Sequence, residues 1–178
     1  MSKKNIAVLG AGKMGLGIAQ LFATKGHQVK VIYVYDDKIR CDAAAVVRSN
    51  LSVLVENDVM TQQEADDAAA RISFVDTIEE VADFADIVFE GIIEKLEIKQ
   101  DYFAKMDAIF PVSTILATNT SAISITEIAE KSVHKERIIG THYWNPAYLV
   151  PLVEVIKTKY VSDETVQATY DLLKEAGI

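Results

Sequence analysis

The sequence predicts an α/β protein: a doubly wound, mainly parallel sheet with helices on both faces and a helical hairpin inserted after the second strand. Three observations predict it. A short apolar run from Asn5 to Leu9 stops at a glycine turn, Gly10-x-Gly12-x-x-Gly15, that opens an amphipathic helix. Strand-like and helix-like patterns then alternate along the chain, as βα units of a parallel sheet do. A second strand pattern, over 28–35, ends in two carboxylates, Asp36 and Asp37.

The first strand is read from Ile6, Ala7, Val8 and Leu9, an unbroken apolar run of the kind buried on both faces. The helix after it shows Ile18, Leu21 and Phe22 on one side. Between a strand and a helix the glycine pattern is specific. Gly10 permits the tight turn, Gly12 lets the backbone approach a pyrophosphate, and Gly15 lets the helix pack close to the strand. Lys13 and Met14 fill the same turn and count as cofactor-binding candidates with the glycines. The helix start offers free N–H groups and the positive dipole end to an anion. A glycine-rich turn without a ligand is the alternative.

Asp36 lies 21 residues after Gly15 (36 − 15), where this motif places an acid on the adenosine ribose hydroxyls. A carboxylate there favours NAD, because it repels the additional phosphate of NADP; Lys38 and Arg40 stand close by. A solvated Asp-Asp turn is the competing reading. Residues 38–57 then form one helix, and Thr61 with Glu64 reads as a capping box opening another. Together they make the hairpin, which is expected to stand out from the sheet. Further strands are expected near 72–75, 86–90, 114–118, 137–143 and 152–157, with helices near 96–108 and 163–176. Ser162 is the N-cap of the last helix and Gly177 its C′ residue.

Composition excludes several classes. Of 178 residues half are apolar and a quarter charged, enough for a sizeable core, and the formal net charge of −8 argues against nucleic acid or an anionic membrane as partner. A single cysteine, Cys41, rules out an internal disulfide and fits a reducing, cytoplasmic compartment. No secretory signal is read at the N-terminus, no apolar stretch is long enough to span a bilayer, and no metal site is read.

Chemistry concentrates toward the C-terminal end. His142 closes one apolar strand and Glu154 sits within the next, twelve residues on (154 − 142), with Pro146 and Pro151 bracketing the connection. A carboxylate inside Leu152-Val153-Glu154-Val155-Ile156 is costly unless partnered. A folded-back loop would bring it to His142, and a glutamate-held histidine suits a general base. A structural pair, or Glu154 facing water, remain alternatives. Asn119, Thr120 and Ser121 follow the fifth strand, where ligands bind in doubly wound sheets, although such residues also favour turns. Glu90, Glu94, Lys95 and Lys99 read as an ordinary charged helix start.

Three segments, Gly10–Gln20, Ala117–Ile128 and Gly140–Pro146 with Leu152–Val155, resemble the NAD-binding domain of the L-3-hydroxyacyl-CoA dehydrogenases, which include the 3-hydroxybutyryl-CoA dehydrogenases. The resemblance covers essentially the whole chain. It implies a Rossmann-type fold, NAD as cofactor and an acyl-CoA substrate. It also implies a catalytic base at His142, its orienting partner at Glu154, a substrate-bonding serine at Ser121, and Glu94, Lys99, Asn119 and Asn145 beside the nicotinamide. By the same resemblance Ser121 and Asn145 position the reacting groups, and the hairpin over 38–70 contacts the CoA moiety. Tyr33 stands where the family's ribose-binding acid is usual, so Asp36 substitutes for it from a longer second strand. Pro151 stands where many CoA-acting members carry lysine and where relatives acting on free 3-hydroxy acids, the lambda-crystallin and carnitine dehydrogenase group, carry proline. A free-acid dehydrogenase, or a nucleotide-binding protein without turnover, are thus the other readings. The family continues into a helical domain that closes the site and forms a homodimer. Residues 1–178 are expected to be the NAD-binding domain alone.

Overall fold

Alternating βα units build one seven-stranded sheet. The computed structural model describes residues 3–34 and 37–178, and the side chains of all of these except 37–41. In chain order the elements are β1 (Asn5–Leu9), α1 (Lys13–Thr24), β2 (Gln28–Ile32), α2 (Asp37–Glu56), α3 (Gln62–Ala70), β3 (Ile72–Val75), β4 (Ile87–Glu90), α4 (Leu96–Ile109), β5 (Ile115–Thr118), α5 (Ile125–Ile128), β6 (Ile138–Tyr143), β7 (Val153–Ile156) and α6 (Asp163–Glu175). The strand order is β3-β2-β1-β4-β5-β6-β7. All neighbours run parallel except β6 and β7. This is the doubly wound order, reversing between β1 and β4, with one antiparallel strand added at the edge.

Successive residues of β1 serve the two faces in turn. Ile6 and Val8 join Phe22, Val31, Phe89 and Leu173 on the side of α1 and α6. Ala7 and Leu9 join Ile32, Val88, Phe103, Met106 and Leu116 on the side of α4. Burial on both faces is why these strands read as unbroken apolar runs.

Two expectations change. β2 ends at Ile32, short of 35, because its neighbours run out there: Gly10 N–H bonds the Ile32 carbonyl at 3.0 Å and Tyr33 N–H the Val75 carbonyl at 3.0 Å, at the last residues of the flanking strands. The hairpin does not stand clear of the sheet layers. Ala43, Val47, Leu51 and Leu54 form a stripe along α2 that, with Ala65 and Ala68 of α3, shares a core with α1. The Thr61–Glu64 capping box is present, and the Ser162 hydroxyl caps α6 by accepting from Thr165 N–H at 3.1 Å.

Arg137 and Asp107 form an ion pair inside the fold. Arg137 donates to Asp107 Oδ1 from Nε at 3.1 Å and from Nη2 at 2.7 Å. Its Nη1 donates to the Pro111 and Thr114 carbonyls. Asp107 Oδ2 accepts the N–H groups of Val133 and His134. Burial pushes the Asp107 carboxyl up, but Arg137 and these N–H donors outweigh it and hold it below the usual carboxylate range.

His27 supplies a pH-dependent weakness. Its ring is fully buried edge-on to Phe22, its Nδ1 accepts Lys4 N–H at 3.0 Å, and its Nε2 has no partner among the described residues. Desolvation holds it below the ordinary 6.5. The unfolded chain therefore binds this proton more readily. Its contribution to stability is present above about pH 6.5 and is lost as pH falls through the lower folded value. Melting temperatures between pH 7.5 and 5 should fall with acidity, less so in His27→Asn; equal slopes in both proteins would sink this assignment.

Candidate active site

The glycine turn is a local consequence of close approach. Gly10 has φ +106°, in the left-handed region, and a Cβ there would lie 3.0 Å from the Gly91 carbonyl oxygen. A Cβ on Gly15 would lie 1.9 Å from the Gly10 carbonyl oxygen, so α1 sits on the strand end only because this residue lacks a side chain. Gly12 differs: a Cβ there meets nothing within 4 Å. None of the described residues demands that glycine. Gly12 is the N-cap of α1, no side chain caps the helix, and its first turn carries no acid. An open approach to uncapped N–H groups fits a pyrophosphate. Gly15→Ala should therefore cost on the order of 1–3 kcal/mol through overpacking. Gly12→Ala should leave the melting temperature nearly unchanged yet weaken NADH binding. Unchanged NADH affinity in Gly12→Ala would exclude the turn as the phosphate site.

Lys13 is exposed and lines a cleft of 610 Å³ with Gly12, Asp42, Asn50, Asn145 and Tyr148, while Met14 packs against the core. Asp36, the expected ribose ligand, lies outside the described residues. Tyr33 stacks on Phe74 with ring centroids 5.4 Å apart.

At the end of β4 the charged residues form a buried network. Glu90 and Lys99 are 0% and 1% exposed, with Lys99 Nζ 2.6 Å from Glu90 Oε1 and 3.2 Å from Glu94 Oε2. Glu94 Oε1 accepts the Thr120 hydroxyl and the N–H groups of Ser121 (2.9 Å) and Ala122 (3.3 Å). Burial pushes the Glu94 carboxyl up, but the bonds from Thr120, Lys99 and Ser121 hold it below the usual range. Lys99 is thus internal rather than part of a solvated helix start, while Glu94, with 41% of its side chain exposed, reaches it from the surface. Glu90 was not expected as part of the site; its only signal was a carboxylate closing the apolar strand Ile87–Glu90.

His142 and Glu154 meet by register. They are directly opposed in the antiparallel β6–β7 ladder, with His142 Nδ1 2.6 Å from Glu154 Oε2. Glu154 is 53% exposed on the edge strand, so the expected cost of burying it does not arise. On the other side of the ring, His142 Nε2 is 3.1 Å from Ser121 Oγ. Asn119 bonds backbone: its Oδ1 accepts Tyr143 N–H at 2.8 Å, and its own N–H donates to the Glu90 carbonyl. Asn145 is exposed after β6 and lines the same cleft as Gly12 and Lys13. The structure therefore joins Glu94, Lys99, Ser121, His142 and Glu154 in one line of contacts and puts Asn145 on the cleft. Among the described residues no group of His, Cys, Asp or Glu is placed to hold a metal, and no helix is long and apolar enough to cross a membrane.

Fold and turn together define a class, the dinucleotide-binding domains of Rossmann type, with the glycine turn at the point where strand order reverses. Within that class the chain belongs to the 3-hydroxyacyl-CoA dehydrogenase family: residues 5–177 match its NAD binding domain, so NAD is the cofactor. It is 40% identical to a probable 3-hydroxybutyryl-CoA dehydrogenase of Bacillus subtilis, across 99% of this chain and 61% of that protein. It is 32% identical to the mitochondrial hydroxyacyl-coenzyme A dehydrogenase of Sus scrofa, across 98% of this chain and 57% of that protein. A 3-hydroxybutyryl-CoA dehydrogenase structure from Escherichia coli K12 superposes with a TM-score of 0.93 at 34% identity, covering 99% of this chain and 37% of that one. The chain thus spans about three-fifths of the length of the first two relatives.

Proposed function

We propose that this chain is the cofactor-binding and base-bearing part of an enzyme that oxidises L-3-hydroxyacyl-CoA to 3-oxoacyl-CoA. The observation that carries the reading is the Glu154–His142–Ser121 line. With a carboxylate 2.6 Å from Nδ1, that nitrogen carries the hydrogen and Nε2 keeps its lone pair for a substrate proton. His142 Nε2 takes the proton of the 3-hydroxyl, and Glu154 stabilises the imidazolium that results. Ser121 Oγ, beside Nε2, bonds the substrate oxygen. Bound NAD would supply the acceptor for the hydride at C3. Asn119, Glu94 and Lys99 line the nicotinamide side, Lys13 and Met14 the phosphate turn, and Asn145 the mouth of the cleft.

In this proposal residues 1–178 are the NAD-binding domain, and the further length of the relatives corresponds to a helical domain that covers the site and forms a homodimer. Trp144, Leu149 and Leu152, each about half exposed beside His142 and the loop after it, support such a cover. A cytoplasmic location belongs to the same reading. The test has two arms. Residues 1–178 should bind NADH in a calorimeter, more tightly than NADPH, with very low turnover. The full-length protein should oxidise NADH with acetoacetyl-CoA and leave NAD unreduced with free 3-hydroxy acids. Equal NADPH affinity would overturn the cofactor preference, turnover of free acids alone the substrate class, and full activity from residues 1–178 the need for a cover.

A further inference from the structure

We infer that Glu90 is a positioning residue that sets the geometry of both the cofactor turn and the Ser121 loop. Its carboxylate is completely buried at the C-terminal end of β4, the central strand on which the sheet reverses. Each oxygen has a separate task. Oε1 accepts Ile92 N–H at 2.8 Å and pairs with Lys99 at 2.6 Å. Oε2 accepts the Thr118 hydroxyl at 2.6 Å.

Three paths leave this one group. Through Ile92 it fixes the Gly91–Ile92 segment, which lies close enough to Gly10 that a Cβ there would meet the Gly91 carbonyl oxygen at 3.0 Å and Ile92 Cγ2 at 3.2 Å. Through Lys99 it holds Glu94, whose Oε1 gathers Thr120, Ser121 and Ala122. Through Thr118 it orients an oxygen that accepts Thr120 N–H at 3.3 Å. The last two converge on the loop that puts Ser121 Oγ 3.1 Å from His142 Nε2. Buried charged hydrogen bonds of this kind have few alternative geometries, because any rearrangement leaves a buried charge unpaired. Glu90 touches neither substrate nor cofactor in this arrangement; it acts through the groups that do. The inference rests on the proposed role of His142 for its meaning in catalysis, but not for its test.

The test reads His142 directly. In residues 1–178 the chemical shifts of the His142 ring, assigned by their loss in His142→Gln, are read by NMR at one fixed pH, and NADH binding is followed by fluorescence. Glu90→Gln keeps shape and removes charge. It should shift the His142 ring resonances and raise the NADH dissociation constant by about tenfold, the size of one lost charge-assisted bond. Thr118→Val leaves the Glu90–Lys99 pair intact and should fold even where Glu90→Gln does not. It should also shift the His142 ring resonances, with a smaller effect on NADH. Asp107→Asn, which breaks a buried ion pair at the other end of α4, controls for general loss of stability and should move neither reading. If the Glu90 and Thr118 variants leave both readings where Asp107→Asn leaves them, Glu90 is structural only and the inference fails. A wild-type full-length protein inactive on acetoacetyl-CoA would overturn the proposed reaction and leave this result standing.

Discussion

If the proposed role of His142 holds, His142→Gln in a protein carrying this domain and its cover should collapse turnover by about 10²–10⁴-fold, the usual contribution of a positioned general base. Glutamine can still reach Glu154 across the ladder, so the strand pair and the NADH affinity should survive. What disappears is the Nε2 lone pair facing Ser121, and with it the proposed acceptor for the hydroxyl proton. Glu154→Gln should slow turnover less, since the base remains but loses its fixed tautomer and its counter-charge. Stopped-flow NADH absorbance with acetoacetyl-CoA separates the two variants. If His142→Gln keeps more than a small fraction of the wild-type rate, the proton goes elsewhere and the assignment is wrong.

Arg137→Met should destabilise the fold by about 3–5 kcal/mol, the cost of stranding a buried charge. Both side chains are almost fully buried, at 3% and 4% exposure, so solvent screens the pair little. The arginine also satisfies the Pro111 and Thr114 carbonyls, which would be left without that donor. Asp107 would keep only the N–H groups of Val133 and His134. Urea unfolding gives the number, and Arg137→Met with Asp107→Asn should recover part of the loss by removing the stranded charge. A loss below about 1 kcal/mol would put the pair in the class of screened surface bridges.

The parts of this site legible in the sequence are those fixed by local backbone geometry. Gly10 and Gly15 are demanded by a turn and a contact within six residues of chain, so the pattern announces itself. The capping box at Thr61 and the N-cap at Ser162 are local in the same sense. Lys99 is the opposite case. A lysine in the first turn of α4 reads the same whether it faces water or a buried carboxylate, and only the arrival of Glu90 and Thr118 from neighbouring strands decides. The seating of the hairpin on α1 and the early end of β2 also depend on distant partners, as does the four-residue helix α5, which gave no periodic signal. The cost of burying Glu154 predicts a partner for it, whereas its meeting with His142 is a matter of opposed positions on two strands.

That opposition gives the site a parity. Side chains on a strand alternate between faces, so sliding β7 by one residue against β6 would bring Val153 or Val155 opposite His142 and turn Glu154 to the other side of the sheet. The same ladder sets Gly140 opposite Ile156, and a Cβ on Gly140 would come within 2.9 Å of Ile156 Cβ, so position 140, two from the histidine, has no room for a side chain against β7. Adding one residue to the 144–152 connection is therefore not a small lengthening. If the slack is absorbed by a one-step slip, the base is without its carboxylate; if it is absorbed in the loop, nothing changes. A bulge in this edge strand that takes up the extra residue joins one outcome or the other according to which side of Glu154 it falls on, so any duplication or deletion in the loop is sorted by whether the glutamate still faces the histidine.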